Sequence, residues 1–333
     1  MKINFIGSFS SGYVGETADE NHLANELEYL GHNVKRIPRD IWKAHVDAKT
    51  PGHQWPEITL DLKADINIIC KWHHFDKSDY IEILRHRSKA PVLYWVWDYM
   101  FYNDELPGFH REMVKEADLY LSNEFGVKDE FYKDVNFYYF PFDCADVAID
   151  RVTSERKYDV AFFGSYLDQG DRSSWLPEIN QQHPVKIFSW NHEEWKKRGF
   201  DVEPAVYGQD FAKRISECKI ILGFNVNDHC WGYWSNRVGK VLCTGGFLLQ
   251  RYVPGMELFL RDGVEYFSSI EEASEKIDYF LTHNSERNRI ADRGYEIGRD
   301  RFTSRARVKE LDILMRRYLK GGLNYKPPKF HEY

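Results

Sequence analysis

Residues 3–6 form a short apolar run that stops at Gly7, and a glycine-rich stretch, 7–15, follows. Thr17-Ala18-Asp19-Glu20 then has the spacing of a capping box, in which the threonine hydroxyl takes an exposed amide and the glutamate reaches back. Leu23, Leu27 and Leu30 recur at helical spacing, and Gly31 supplies a stop. Residues 33–37 read as the next strand, which completes a βαβ unit. The alternation continues: strands are predicted at 66–70, 92–97, 119–122 and 137–140, with a helix at 78–87. Between 141 and 157 the apolar periodicity lapses and charges accumulate, as in an interdomain linker. A second series opens on Tyr158-Asp159-Val160-Ala161-Phe162-Phe163-Gly164. It runs through strands at 185–188, 219–224 and 247–250, and helices at 210–217 and 235–244. Three helices close the chain, the first opening on Ser269-Ile270-Glu271-Glu272.

Strands alternating with helices imply parallel sheets covered by helices. Two such series in 333 residues predict an α/β protein of two Rossmann-like domains facing a cleft. The expected division is 1–145, 146–303, and a helix and tail at 304–333 returning to the first domain.

Hydrophobic residues make up 43% and charged residues 29%, which excludes wholesale disorder. The net charge of -7 has the wrong sign for a general nucleic-acid or acidic-membrane binder. It is unevenly spread, since residues 286–329 hold 13 Lys/Arg against 6 Asp/Glu. Alternating charges on amphipathic helices usually mark a solvated face, so DNA ranks as a possible partner but not the first. Five cysteines without a C-x-x-C pair fit a reduced, cytoplasmic protein. The first apolar run is too short for an export signal, which disfavours a periplasmic-type binding protein, and no stretch is long enough to span a bilayer. Aromatics reach 16%, with 10 Trp, 21 Tyr and 22 Phe, enough for both cores and ligand platforms.

Ligands of parallel α/β sheets collect at the carboxyl ends of the strands. Three such places carry suitable chemistry. After the strand at 219–224 comes a loop with Trp231, Gly232, Tyr233 and Trp234, and Ser235-Asn236-Arg237 opens a helix. Ser235 or Asn236 is the expected cap, and Arg237 and Lys240 lie three apart. Cations at a helix's positive end call for an anion, and a phosphate would take the free amides and both cations. The second place is Gly164-Ser165-Tyr166, with Arg172 able to add a charge-assisted bond. The third is Asp98, just past 92–97 and amid Tyr94, Trp95, Trp97, Tyr99, Phe101 and Tyr102. Apolar surroundings raise a carboxyl pKa, as a general base needs, and Glu16 is placed to face the same cleft. No G-x-G-x-x-G, P-loop or G-x-S-x-G is present, and neither His73-His74 nor His229-Cys230 has metal-ligand spacing.

The run Ser235-Asn236-Arg237-Val238-Gly239-Lys240-Val241-Leu242-Cys243-Thr244-Gly245-Gly246, followed by Pro254-Gly255-Met256-Glu257-Leu258-Phe259, resembles the nucleotide-sugar segment of group-1 glycosyltransferases with the GT-B fold. Within that group it is most similar to the spore-coat-type glycosyltransferase-like proteins. A looser similarity runs to the phage DNA β-glucosyltransferases, inverting enzymes that use UDP-glucose. Their features fall on Glu16, Asp98, Tyr139-Phe140-Pro141, Gly164-Ser165 with Arg172, and Arg237-Val238-Gly239-Lys240. The acidic residue that usually holds the donor ribose is replaced by Lys240, and the paired glutamates of many retaining members are missing.

The resemblance implies transfer from a nucleotide sugar, a UDP-sugar being favoured, to an acceptor hydroxyl. It puts Ser165, Arg172, Ser235, Asn236, Arg237 and Lys240 around the diphosphate. Asp98 becomes the base of an inverting displacement, with Glu16 orienting sugar or acceptor. Trp97, Tyr99, Trp231 and Trp234 are the expected stacking platforms. With no acidic metal motif evident, neither metal nor cofactor is expected. A glycan, small molecule or protein is favoured as acceptor. The alternatives are a phage-type enzyme acting on hydroxymethylated DNA bases and a non-catalytic sugar-nucleotide-binding protein.

Overall fold

The computed structural model describes residues 1–9, 19–38, 60–70, 88–98, 108–123, 135–141, 145–168 and 170–321. The chain divides into two compact units, Met1–Pro141 with Val308–Tyr333, and Phe142–Arg307.

In the first unit, strands β1 (Lys2–Gly7), β2 (Asn33–Pro38), β3 (Ile66–Cys70), β4 (Val92–Val96), β5 (Leu119–Ser122) and β6 (Phe137–Tyr139) form one parallel sheet in the order β2-β1-β3-β4-β5-β6. Every residue of β3, β4 and β5 is buried, because both faces of a parallel sheet are covered. Helix α1 (Asp19–Tyr29) buries Leu23, Ala24 and Leu27, and α2 (Gly108–Glu116) precedes β5. The helix predicted at 78–87 lies outside the described residues.

The second unit repeats the plan. Strands β7 (Tyr158–Phe163), β8 (Val185–Ser189), β9 (Asp201–Pro204), β10 (Cys218–Gly223), β11 (Leu248–Arg251) and β12 (Glu265–Phe267) run parallel in the order β12-β11-β10-β7-β8-β9. Alternate residues of β7 feed opposite faces, as a period of two requires. Ala161 and Phe163 join one core cluster, Val160 and Phe162 the other. The covering helices are α3 (Asp171–Gln182), α4 (His192–Lys196), α5 (Gly208–Ser216), α6 (Arg237–Cys243), α7 (Met256–Leu260), α8 (Ile270–Thr282) and α9 (Asn284–Arg301), and α10 (Ser304–Leu319) follows. At the head of α8 the Ser269 hydroxyl accepts the Glu272 amide at 3.1 Å, while Glu272 accepts the Ser268 amide at 2.7 Å.

Strands β9 and β12 and helices α2, α3, α4 and α7 are absent from the sequence reading. β9 and β12 sit at the sheet edges and are only partly buried, so they lack an apolar run. α3 contains Pro177, which breaks the helical pattern in sequence. The stretch 145–157, expected as a linker, is instead fastened to α9. Arg299 donates to the carbonyls of Ile149 and Val147 at 2.6 and 3.0 Å, and the Tyr295 hydroxyl donates to Asp150 at 2.5 Å. Polar bonds hold this segment, which is why apolar periodicity did not reveal it.

Candidate functional site

Strand order decides where a ligand meets the second unit. From β7 the chain moves outward through β8 to β9, then returns to β10 on the other side of β7 and moves outward through β11 to β12. The order reverses between β7 and β10, and loops leaving their carboxyl ends diverge there. One of those loops leads to α3 with Arg172, the other to α6 with Arg237.

Both arginines turn inward against the same ring. The Arg237 guanidinium lies 4.7 Å from the Phe162 centroid, and its Nη1 donates to the Phe224 carbonyl at 2.7 Å. The Arg172 guanidinium lies 5.9 Å from that centroid, and its Nη1 donates to the Ser165 carbonyl at 3.0 Å. A β-carbon on Gly164 would meet Arg237 Nη2 at 2.6 Å and the Phe162 ring at 2.8 Å. Gly164 therefore makes room for the guanidinium. Neither arginine forms an ion pair with a carboxylate among the described residues. Burial pushes the Arg237 pKa down to about 9, and neighbouring Arg172 adds to the fall. Burial lowers Arg172 in the same way. The pair stores unfavourable charge that an anion would relieve.

The loop after β10 is held by its own polar groups. Asp228 Oδ1 accepts both the backbone and the side-chain N–H of Asn225, each at 3.1 Å. Asn225 Oδ1 in turn accepts the Ser235 amide at 3.0 Å. At the end of β11, Arg251 Nε pairs with Asp171 Oδ2 at 2.7 Å, and its guanidinium lies 4.6 Å from the Trp175 ring centroid. The Ser235 hydroxyl oxygen, Arg172 Nε and Asp228 Oδ2 are buried without hydrogen-bond partners among the described residues.

Residues 152–312 match the model of the family described as glycosyl transferase-like. No curated protein matches the chain in a sequence search. Among solved structures it is similar to the Anabaena protein HepE in complex with UDP and glucose, at 11% identity and a TM-score of 0.66, covering 95% of this chain and 99% of that one. An α-glucosyltransferase in complex with UDP-glucose and DNA containing an abasic site gives 12% and 0.64, covering 95% and 99%. Sucrose-phosphate synthase from Thermosynechococcus elongatus gives 10% and 0.66, covering 96% and 99%. The fold is GT-B. Among the described residues, no helix is long and apolar enough to cross a membrane.

Within the matched residues 152–312, Ser165, Arg172, Ser235 and Arg237 are drawn into one neighbourhood by the contacts above. Asn236 precedes α6 in helical conformation, and no side-chain cap bond forms there. The expected cap is thus corrected: neither side chain caps the helix, and the Ser235 carbonyl takes the Val238 amide at 3.1 Å instead. Lys240 is half-buried in the second turn of α6. The aromatic platforms need a larger correction. Trp234 is 1% exposed, packed in a core cluster with its ring near Phe259 and Phe302. Trp97 is 3% exposed and meets Trp95 edge-on at 5.3 Å. Neither offers a face, because core packing already covers both rings. Trp231 is half-buried, with the Gly255 backbone against its ring. Asp98 is half-buried just beyond β4, while Glu16 and Tyr99 lie outside the described residues. Sequence reasoning missed Asn225, Asp228 and the Asp171–Arg251 pair. The Asn225-x-x-Asp228 spacing after a strand was the available signal, since such side chains bond nearby backbone.

Proposed function

We propose that this chain transfers a sugar from a nucleoside-diphosphate sugar, a UDP-sugar being favoured, to an acceptor hydroxyl. One observation carries the reading: buried Arg172 and half-buried Arg237 lie desolvated at the switch point of the second sheet, and neither forms an ion pair with a carboxylate among the described residues. A diphosphate supplies that counterion. During transfer the two guanidiniums offset the charge that develops on the departing nucleoside diphosphate. Ser165, Ser235 and Asn236 contribute hydroxyl and amide donors, and Lys240 adds charge from the second turn of its helix. Two of the solved structures support the donor class by analogy, since one is complexed with UDP and another with UDP-glucose.

Asp98 takes the acceptor proton in an inverting, metal-independent displacement, and Glu16 orients sugar or acceptor. Replacing Asp98 by Asn is expected to lower transfer about a thousandfold, within the range for loss of a general base, while UDP-glucose affinity holds. Near-normal transfer, or a product of retained configuration by NMR, removes Asp98 from that role. Turnover that survives EDTA supports the metal-independent reading, and turnover restored only by a divalent cation ends it.

A second reading makes a DNA base the acceptor. It is favoured by the similar fold of an α-glucosyltransferase bound to DNA and by the basic residues of α10, Arg305, Lys309, Arg316 and Arg317. Binding to duplexes with hydroxymethylated bases that weakens steeply with salt, together with glucose incorporation, would establish it. Binding of UDP-glucose without turnover on glycan, small-molecule, protein or DNA acceptors would point to a non-catalytic binding protein.

A further inference from the structure

We propose that Asp228 is a proton-coupled positioning residue: it anchors the loop that presents Ser235 and Arg237, and it takes up a proton when a nucleoside-diphosphate sugar binds. The inference rests on the donor site proposed above.

Geometry separates the two oxygens of this carboxylate. Oδ1 accepts from the Asn225 amide and from Asn225 Nδ2, and Asn225 passes the restraint on to the Ser235 amide. Oδ2 is buried without a hydrogen-bond partner among the described residues, and the residue is 2% exposed. Every charged neighbour bears on the outcome. Arg172 on α3 and Arg237 at the head of α6 both feel the Asp228 charge, and Tyr233 in the same loop acts on both. Arg251 at the end of β11 favours the ionised carboxylate, while Asp171 at the start of α3 opposes it. Burial outweighs the rest and pushes the carboxyl up to about 6.

Near neutral pH, Asp228 is therefore mostly ionised and serves as the distant counterion of Arg172 and Arg237. A diphosphate brings negative charge to the same guanidiniums and displaces it from that role. The carboxylate then faces like charge with one oxygen unsolvated, so its pKa rises further. The proton arrives from solvent and bonds to Oδ2, leaving Oδ1 to hold Asn225. Proton uptake on binding means that affinity rises as pH falls. A purely structural Asp228 would hold the loop without this dependence.

Calorimetry on the full chain with UDP-glucose tests the idea, using buffers of different ionisation enthalpy. The diphosphate of UDP-glucose is a diester that does not titrate near neutrality, so net uptake belongs to the protein. The wild type is expected to take up a large fraction of a proton, and to bind about tenfold tighter at pH 6 than at pH 8. Asp228→Asn keeps the Oδ1 acceptor and should bind with neither the uptake nor the pH dependence. Equal uptake in D228N, or none in the wild type, overturns the proposal. Should D228N fail to fold, infrared difference spectra of the wild type decide: a protonated carboxyl band must appear on UDP-glucose binding, and its absence overturns the inference. If UDP-glucose gives neither binding heat nor a thermal shift with wild-type protein, the donor reading itself fails, and this inference with it.

Discussion

Gly7 and Gly164 occupy matching places, each at the carboxyl end of the first strand of its sheet, yet the chain fills the space beside them oppositely. Beside Gly7 lies Glu20, whose Cγ would be 2.8 Å from a β-carbon and whose Oε1 accepts the Ser8 amide at 3.2 Å. Beside Gly164 lies the Arg237 guanidinium. In the first unit a strand-end amide is thus closed by the protein's own carboxylate. In the second, the same kind of strand end is lined by two desolvated cations. Similar sheets can present opposite charge at their strand ends, and only the cationic one suits a diphosphate.

The largest test of this contrast is Arg237→Ala. It should weaken UDP-glucose binding about a hundredfold, the loss expected from removing a buried charge-assisted contact. Calorimetry showing unchanged affinity would move the diphosphate elsewhere. Gly164→Ala is a smaller probe. Its β-carbon must push Arg237 or the Phe162 ring aside, so a loss of about tenfold is expected, with KM rising more than kcat falls. Equal loss in kcat alone would mean that the guanidinium acts on the reaction but not on binding. The gentlest probe sharpens the other half of the comparison. Glu20→Gln should cost about 1 kcal/mol of stability, as a weakened charge-assisted hydrogen bond does, and leave UDP-glucose affinity untouched. A matching loss of affinity would erase the distinction between the two strand ends.

Central strands were legible because both of their faces are buried, so β3, β5 and β7 read as continuous apolar runs. Edge strands were not: β9 is Asp-Val-Glu-Pro, with its first and last residues exposed. In the candidate site, strand-end placement singled out Arg172 and Arg237, which the structure brings to one Phe162 ring. Orientation within it stayed hidden. The aromatic excess suggested platforms at Trp97 and Trp234, and packing turned both into core. Asp228 looked like one more polar loop residue until its bonds to Asn225 tied it to Ser235.

Sequence alone determined the central strands, the two parallel α/β series, and the glycine and arginine positions that mark strand ends. Those features depend on local periodicity, which the chain carries in its order of residues. Tertiary structure alone decided that Arg172 and Arg237, far apart in the chain, flank one Phe162 ring without an ion pair to a carboxylate among the described residues. That juxtaposition arises because the return crossover lays β10 beside β7, and no local pattern records which strand becomes a neighbour.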